Sequence, residues 1–308
     1  MSDTHSTAGL IEIQINGGWG HDFTADPNTM WAVGERLPEV GVTSFLPTIV
    51  SAPYETVSAA IDVVRVGPPA GYPGADVIGL HVEGPWISPE WRGAHNPTHL
   101  RSPELAVARE WAESGKVRIV TMAPELDGAF EVATALADSG VVVSAGHSGA
   151  DFETASRALA GPWHSVTHLF NQMSGFHHRS PGMVGAALLS DRPCGLIVDG
   201  IHCHPSAVRL AWSALGPDRL VLVTDAMAAA GLGKGKYRLG DHEVVVGDDG
   251  PRSGPETLAG STLTMDQAMA NLVSWTGATV DQARACASVN PARLLGWGAA
   301  VDHVGSSG

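Results

Sequence analysis

Five residues that can bind a metal or transfer a proton occupy corresponding positions, each at or just beyond the C-terminal end of an apolar run. They are Glu83, His147, His168, His202 and Asp225. A single residue of this kind is commonly a hydrogen-bonded core residue, but five at equivalent positions indicate a shared site. One carboxylate with two imidazoles is typical of a catalytic Zn²⁺ that keeps an open position, so Glu83, His147 and His168 are predicted metal ligands.

A water molecule at that open position would become a nucleophile near neutral pH. Asp225 ends the apolar run LVLVTDA and would enter the same site. It is predicted to accept the proton of this water and to deliver it later to a leaving group. The alternative is that Asp225 caps a helix that begins at DAMAAAG.

Eight apolar, β-rich runs carry these residues, and segments with helical patterns separate the runs. The runs cover residues 10–16, 43–50, 77–84, 117–125, 141–148, 165–171, 194–202 and 220–226. Eight repeated strand-helix units predict an α/β fold of the (β/α)8 TIM-barrel type, with an open doubly wound sheet as the alternative. In a barrel the C-terminal ends of the strands meet at one mouth, which would bring the five polar residues together.

Composition limits the function further. The 308 residues are 44% hydrophobic and carry a formal net charge of −14, which argues against a nucleic-acid partner. An anionic substrate would need a few local cations acting against the overall field. Cys194, Cys203 and Cys286 form no CxxC pair, which suits reduced thiols in the cytoplasm, and no apolar stretch is long enough to predict a membrane span.

Several motifs occur in a fixed order along nearly the whole chain. They are HVEGPW followed by RGAHNP, SAGHS, THLFNQM followed by RSPG, DGIHCHP, TDAM and TLAGSTLTM. Together they resemble the N-acetylglucosamine-6-phosphate deacetylase family of the amidohydrolase superfamily. The resemblance implies a metal-dependent amidohydrolase barrel that converts N-acetyl-D-glucosamine 6-phosphate to D-glucosamine 6-phosphate and acetate.

The resemblance also implies roles for individual residues. Glu83, His147 and His168 would hold the metal, Asp225 would be the general base and acid, and His95 would help to polarise the acetamide carbonyl. The residues implied around the sugar phosphate are Ala94, His95, Asn171, Gln172, His202 and the backbone of Leu258, Ala259 and Gly260. Arg179 would reach the phosphate bound by a neighbouring subunit, which implies a homodimer, although an isolated Arg is commonly a solvated surface residue.

Gln14 and Asn16, in the stretch EIQINGGWGH, stand where many amidohydrolases carry His-x-His and bind a second metal. Neutral amides are weak ligands for transition metals, so one divalent ion per chain is expected, with Zn preferred over Fe, Co or Mn. The amide pair resembles the single-metal branch of the family, in which these side chains hydrogen-bond water near the metal. The alternative is that both satisfy a buried turn through NGG.

A single barrel domain is expected over residues 1–308, with flexible ends at 1–9 and 299–308. Family members usually carry a small β-sandwich domain assembled from both chain ends. That domain is expected to be absent, because the first run begins at residue 10 and the tail VDHVGSSG is short. Two other functions remain open. One is another amidohydrolase, such as an N-acetylgalactosamine-6-phosphate deacetylase, a cyclic amidase or a deaminase, and the other is a non-catalytic sugar-phosphate-binding protein.

Overall fold

A computed structural model describes residues 9–255 and 257–297. The flexible ends predicted at 1–9 and 299–308 lie outside the described residues, apart from Gly9. Eight strands of the described chain pair in parallel in their sequence order. Their bounds are β1 Leu10–Ile15, β2 Val42–Val50, β3 Leu80–Glu83, β4 Val117–Met122, β5 Val142–Ala145, β6 Ser165–Val166, β7 Cys194–Leu196 and β8 Leu220–Leu222.

Helices follow the strands and cover the outside of this sheet. Their bounds are α1 Met30–Arg36, α2 Tyr54–Val66, α3 Leu105–Glu113, α4 Ala129–Asp138, α5 Phe152–Ala160, α6 Gly182–Leu189, α7 Pro205–Arg219, α8 Met265–Thr276, α9 Val280–Cys286 and α10 Val289–Leu294. In α5, Ala155, Ala158 and Leu159 are buried at the spacing of one helix face, and Asp151 caps the first turn. None of the described helices is long and apolar enough to cross a membrane.

Contacts between β1 and the segment after β8 nearly close the sheet into a barrel. The Asn16 N–H donates to the Ala226 carbonyl at 2.7 Å, and the Asp225 N–H donates to the Gln14 carbonyl at 2.9 Å. The buried Glu12 side chain adds a link, since its two oxygens accept the Thr224 N–H at 3.0 Å and the Gln14 N–H at 2.9 Å. Burial raises the pKa of this carboxyl group to about 8. The sheet is therefore the predicted TIM barrel and not an open doubly wound sheet.

Each predicted apolar run contains a strand, but several strands end before their run does. β5, β6, β7 and β8 stop at Ala145, Val166, Leu196 and Leu222, several residues before the ends that the runs predicted. Past three of these ends, His147, His168 and Asp225 adopt positive φ values of 49°, 27° and 49°. Residues with side chains rarely adopt this conformation, and it cannot continue a strand. The parts of these runs that are not strand therefore carry His147, His168, His202 and Asp225, whereas Glu83 is the last residue of β3.

A small antiparallel sheet follows the barrel strands and packs near their C-terminal ends. It comprises β9 Gly235–Leu239, β10 His242–Gly247 and β11 Gly250–Arg252. Leu239, Val244 and Val246 pack with Val50 and Met227 in a second apolar cluster. The last described segment of the chain contains two short helices, α9 and α10, and Pro291 in α10 cannot continue a helix from the preceding turn.

The seam between β1 and β8 generates a stability prediction. We expect Glu12→Gln to lower the free energy of unfolding by about 1 to 3 kcal/mol, because an amide cannot accept backbone N–H groups at both of its ends. Urea unfolding of the two proteins measures the difference. Glu110→Gln, on the exposed face of α3, is the matched control and should change it by less than about 0.5 kcal/mol. Equal losses in both variants would contradict the role of Glu12.

Candidate metal and substrate site

Three side chains from different strands converge at the C-terminal mouth of the barrel. Glu83 is the last residue of β3, whereas His147 and His168 each lie two residues beyond the ends of β5 and β6. Glu83 Oε1 lies 3.1 Å from His147 Nε2 and 2.9 Å from His168 Nε2. The two Nε2 atoms are 3.1 Å apart, and all three side chains are buried.

This cluster fits a divalent metal. Tetrahedral Zn²⁺ with bonds of about 2.0 to 2.1 Å separates its ligand atoms by about 3.3 Å, close to the observed separations. His147 Nδ1 lies 2.8 Å from the Trp91 carbonyl oxygen and donates to it, so the lone pair of His147 is on Nε2 and faces the cluster. Burial opposes ionisation of Glu83, but hydrogen bonds and charge from His147 and His168 hold its pKa well below its usual value.

Asp225 lies next to this cluster, and Gln14 and Asn16 contact it. Asn16 Nδ2 donates to Asp225 Oδ1 at 2.7 Å. Gln14 Nε2 lies between the two carboxylates, 3.4 Å from Asp225 Oδ1 and 3.3 Å from Glu83 Oε1. Burial, and then the charge of Glu83, raise the pKa of Asp225 to about 6. A carboxylate of this kind can both accept and return a proton near neutral pH.

The alternative explanation of Asp225 as a helix cap is not supported by the fold. Residues 226–234 form a bridge and turns, and no helix of the described chain begins there. The alternative for the amide pair, a buried turn, accounts for only part of its contacts. Asn16 Oδ1 is buried without a hydrogen-bond partner among the described residues, and Asn16 lines the cavity beside the metal cluster.

His95 is a buried neutral imidazole beside the metal cluster. The Ser51 N–H donates to its Nδ1 at 3.2 Å, and the Ser51 hydroxyl is 2.8 Å from the same nitrogen. Because Nδ1 accepts a hydrogen bond, the ring hydrogen must be on Nε2. Burial, and then the charge of His147, lower the pKa of His95 to about 3. His95 is therefore a hydrogen-bond donor that carries no charge.

A cavity at the mouth of the barrel brings most of the predicted site residues together. The predicted residues that line it are Asn16, Glu83, Ala94, His95, His147, His168, Asn171, Gln172, His202, Asp225, Leu258 and Gly260. Gln14 lies against its carboxylates, and Ala259 is buried in the apolar cluster below the small sheet. Arg179 does not line this cavity. It is exposed, and its guanidinium contacts His178 Nε2 at 2.8 Å.

Four further residues line the cavity that sequence reasoning did not select. They are Val50, Gly93, Ile197 and Leu239. Val50 ends its apolar run, which was the available signal. Ile197 lies inside the run 194–202, directly after the end of β7, so no run end marked it. Leu239 ends β9, so only the docking of the small sheet brings it to the barrel mouth.

Comparisons with known proteins assign the chain to a family. The model of the amidohydrolase family matches residues 6–305. The human N-acetylglucosamine-6-phosphate deacetylase is 45% identical over 304 residues, which cover 94% of this chain and 74% of the human protein. The chain belongs to this amidohydrolase family. The chain is also similar to an N-acetylgalactosamine-6-phosphate deacetylase from Escherichia coli O157:H7, with 39% identity over 93% of this chain and 77% of that protein.

Solved structures of deacetylases share the fold of this amidohydrolase. A point mutant of the N-acetyl-D-glucosamine-6-phosphate deacetylase from Mycobacterium smegmatis superimposes with a TM-score of 0.86 and 34% identity. The match covers 94% of this chain and 77% of the mycobacterial one, which was solved in complex with N-acetyl-D-glucosamine 6-phosphate.

The environment of His95 generates a spectroscopic prediction for the amidohydrolase. In protein labelled with ¹⁵N-histidine, His95 should give the signals of a neutral ring protonated on Nε2. These signals should not titrate between pH 8 and pH 5, where an ordinary histidine gains a proton, because burial holds the pKa near 3. The signals are assigned by their loss in His95→Gln. A ring that titrates near pH 6.5, or that is protonated on Nδ1, would contradict the contact with Ser51.

Proposed function

We propose that this amidohydrolase removes the acetyl group of N-acetyl-D-glucosamine 6-phosphate and releases D-glucosamine 6-phosphate and acetate. One observation carries the proposal: the Glu83, His147 and His168 cluster shares a cavity with Asp225 and His95. An N-acetyl group is a poor electrophile with a poor leaving amine, so hydrolysis needs both polarisation of its carbonyl and protonation of its nitrogen. The cavity contains groups for both tasks.

We propose that Glu83, His147 and His168 hold one divalent ion in each barrel. Two imidazoles and one carboxylate suit Zn²⁺, and they also accept Fe²⁺, Co²⁺ or Mn²⁺. When bound, the ion would polarise the acetyl carbonyl and lower the pKa of a water molecule. The second nitrogen of His147 is held by the Trp91 carbonyl, which keeps its ligand nitrogen directed at the site.

The remaining steps belong to the side chains of this chain. Asp225 takes a proton from the attacking water and delivers it to the amide nitrogen as the C–N bond breaks. The N–H of Asn16 orients the Asp225 carboxylate at 2.7 Å, and the free Asn16 Oδ1 can accept a hydrogen bond from the water. His95 donates its Nε2–H to the acetyl oxygen as negative charge develops there.

The substrate is proposed to lie against the other residues that line the cavity. Ala94, Asn171, Gln172, Leu258 and Gly260 would contact the sugar, with the adjoining Ala259 contributing backbone, and His202 would face the phosphate. Arg179 would bind the phosphate of a substrate held by a neighbouring copy of the chain. Its exposed guanidinium contacts no carboxylate in the described chain. A homodimer would bring this guanidinium to the phosphate, which Arg can bind through two parallel hydrogen bonds.

We also propose that the protein works in the cytoplasm, as one barrel domain. Cys194, Cys203 and Cys286 are free and buried. Buried free thiols without disulfide partners suit a reducing compartment.

The metal proposal predicts about one divalent ion per chain in protein purified without chelators. A second ion would need Gln14 and Asn16 as ligands, but their side-chain nitrogens donate to Glu83 and Asp225, and amide oxygens bind transition metals weakly. Elemental analysis measures the ratio, and replacing both amides with His should raise it. Two tightly bound ions per unmodified chain would refute the single-metal site.

The activity is tested by acetate release from N-acetylglucosamine 6-phosphate, its galactosamine epimer and unphosphorylated N-acetylglucosamine. Asp225→Asn should fold and keep its metal, yet lose turnover by about a thousandfold, because an amide cannot accept the proton. Near-normal turnover of that variant would remove Asp225 from the mechanism. Equal rates with and without the phosphate would reject a phosphate subsite. A metal-loaded protein that binds the sugar phosphate but releases no acetate would instead be a binding protein.

A further inference from the structure

A buried carboxylate that the proposed chemistry does not use lies beside the substrate cavity. Asp199 follows β7 by three residues, and its side chain is 8% exposed. Its Oδ2 is 2.6 Å from Nδ1 of His202, whose side chain is 6% exposed. The other oxygen, Oδ1, accepts the backbone N–H groups of Ile201 at 2.8 Å and His202 at 2.7 Å.

These contacts assign the donor and the acceptor of the pair. Burial opposes ionisation of Asp199, but the hydrogen bond and charge of His202 and the two backbone N–H groups hold its pKa below the usual value. An ionised carboxylate only accepts hydrogen bonds, so His202 Nδ1 is the donor. If His202 Nε2 also donates, to a phosphate in the cavity, both ring nitrogens carry hydrogen and the ring is an imidazolium. His202 Nε2 has no hydrogen-bond partner among the described residues, so it can bind a ligand in the cavity that His202 lines.

The cavity has few other sources of positive charge. No Lys or Arg is among the described residues that line it. His95 is neutral, and His147 and His168 are committed to Glu83. Asp225 adds a second carboxylate to the same cavity, and the whole chain has a net charge of −14. Apart from the metal site, His202 is therefore the one described side chain lining the cavity that can offset the charge of a dianionic phosphate.

We propose that Asp199 is a positioning residue that keeps His202 as an imidazolium with its Nε2–H directed into the cavity, so that this pair supplies the chain's own charge for a sugar phosphate. The inference rests on the proposed function, since it concerns the same cavity and the same substrate. It assigns phosphate selectivity to a residue that never touches the substrate.

Asp199 also ties down the turn at Ile201 and His202, so a structural role has to be separated from the electrostatic one. Asp199→Asn makes this separation. The amide oxygen can still accept both backbone N–H groups, while the NH₂ group faces His202 Nδ1. His202 Nδ1 must then accept a hydrogen bond from this NH₂ group, so His202 becomes a neutral ring that still carries hydrogen on Nε2. The variant thus keeps the turn and the donor and loses the positive charge.

Steady-state kinetics of the metal-loaded enzyme give the first measurement. In Asp199→Asn we expect KM for N-acetylglucosamine 6-phosphate to rise about tenfold, because one charge-assisted hydrogen bond to the phosphate is lost. The value of kcat should stay within about twofold of the wild type. The rate constant kcat/KM for unphosphorylated N-acetylglucosamine should be unchanged. Asp151→Asn, which alters a carboxylate that accepts a backbone N–H at a helix start, is the matched control and should leave both substrates unaffected. Equal losses on both sugars would show a structural role and overturn the proposal.

Binding of the product separates this inference from the proposed activity. Calorimetry with glucosamine 6-phosphate should show about tenfold weaker binding to Asp199→Asn, and weaker binding to His202→Gln. The double variant should bind no more weakly than His202→Gln alone, because Asp199 acts only through His202. Additive losses, or unaltered binding in Asp199→Asn, would overturn the role of the pair even if the wild type releases acetate. If the variants show this pattern of product binding but the wild type releases no acetate, the proposed activity is wrong and the role of Asp199 and His202 stands.

Discussion

Closure of the barrel between its first and last strands holds Asp225 against Gln14 and Asn16, and the candidate site depends on this contact. The residues that close the seam are the site residues themselves, since Asn16 pairs with Ala226 and Asp225 with Gln14 through their backbones. The side chains of Asn16 and Asp225 then meet at 2.7 Å. A change in the separation of β1 and β8 would therefore move the Asp225 carboxylate relative to the Glu83, His147 and His168 cluster directly.

The second requirement is irregular backbone at the mouth, supported by a rigid layer below it. Conformations such as those of His147, His168 and Asp225 cost about 1 to 3 kcal/mol each and persist only when surrounding contacts impose them. One level deeper, a chain of buried hydrogen bonds crosses the barrel interior. Thr121 and Thr167 hydroxyls are 2.7 Å apart, with His81 Nε2 at 2.8 Å from Thr121 and Ser144 at 2.6 Å from Thr167. This layer fixes the spacing of β3 to β6, and so of Glu83, His147 and His168.

The sequence carried the signals for the strands and for much of the site, because both depend on local patterns. Buried parallel strands are nearly continuous apolar runs, and a polar residue such as Glu83 or Asp225 at the end of a run is conspicuous. The apolar runs predict ends for β5 to β8 that are several residues too late, because strand propensity contains no information on the positive φ values that follow these strands. Ser51 and Leu239 could not be found, since nothing local links Ser51 to His95 or β9 to the barrel mouth. Those contacts are set by tertiary packing alone.

The charges around the metal cluster explain what an amide pair does at the end of the first strand. Glu83 and Asp225 are two buried carboxylates in one cavity, and the charge of Glu83 raises the pKa of Asp225. Gln14 donates to both of them, which reduces their repulsion without adding a charge or a metal ligand. The one divalent ion proposed for the cluster would balance the charges of two carboxylates, whereas a second ion would leave a net positive charge. Because the proposed role of Asp225 needs one oxygen free to carry a proton, the amide pair suits the proposed site with a single ion.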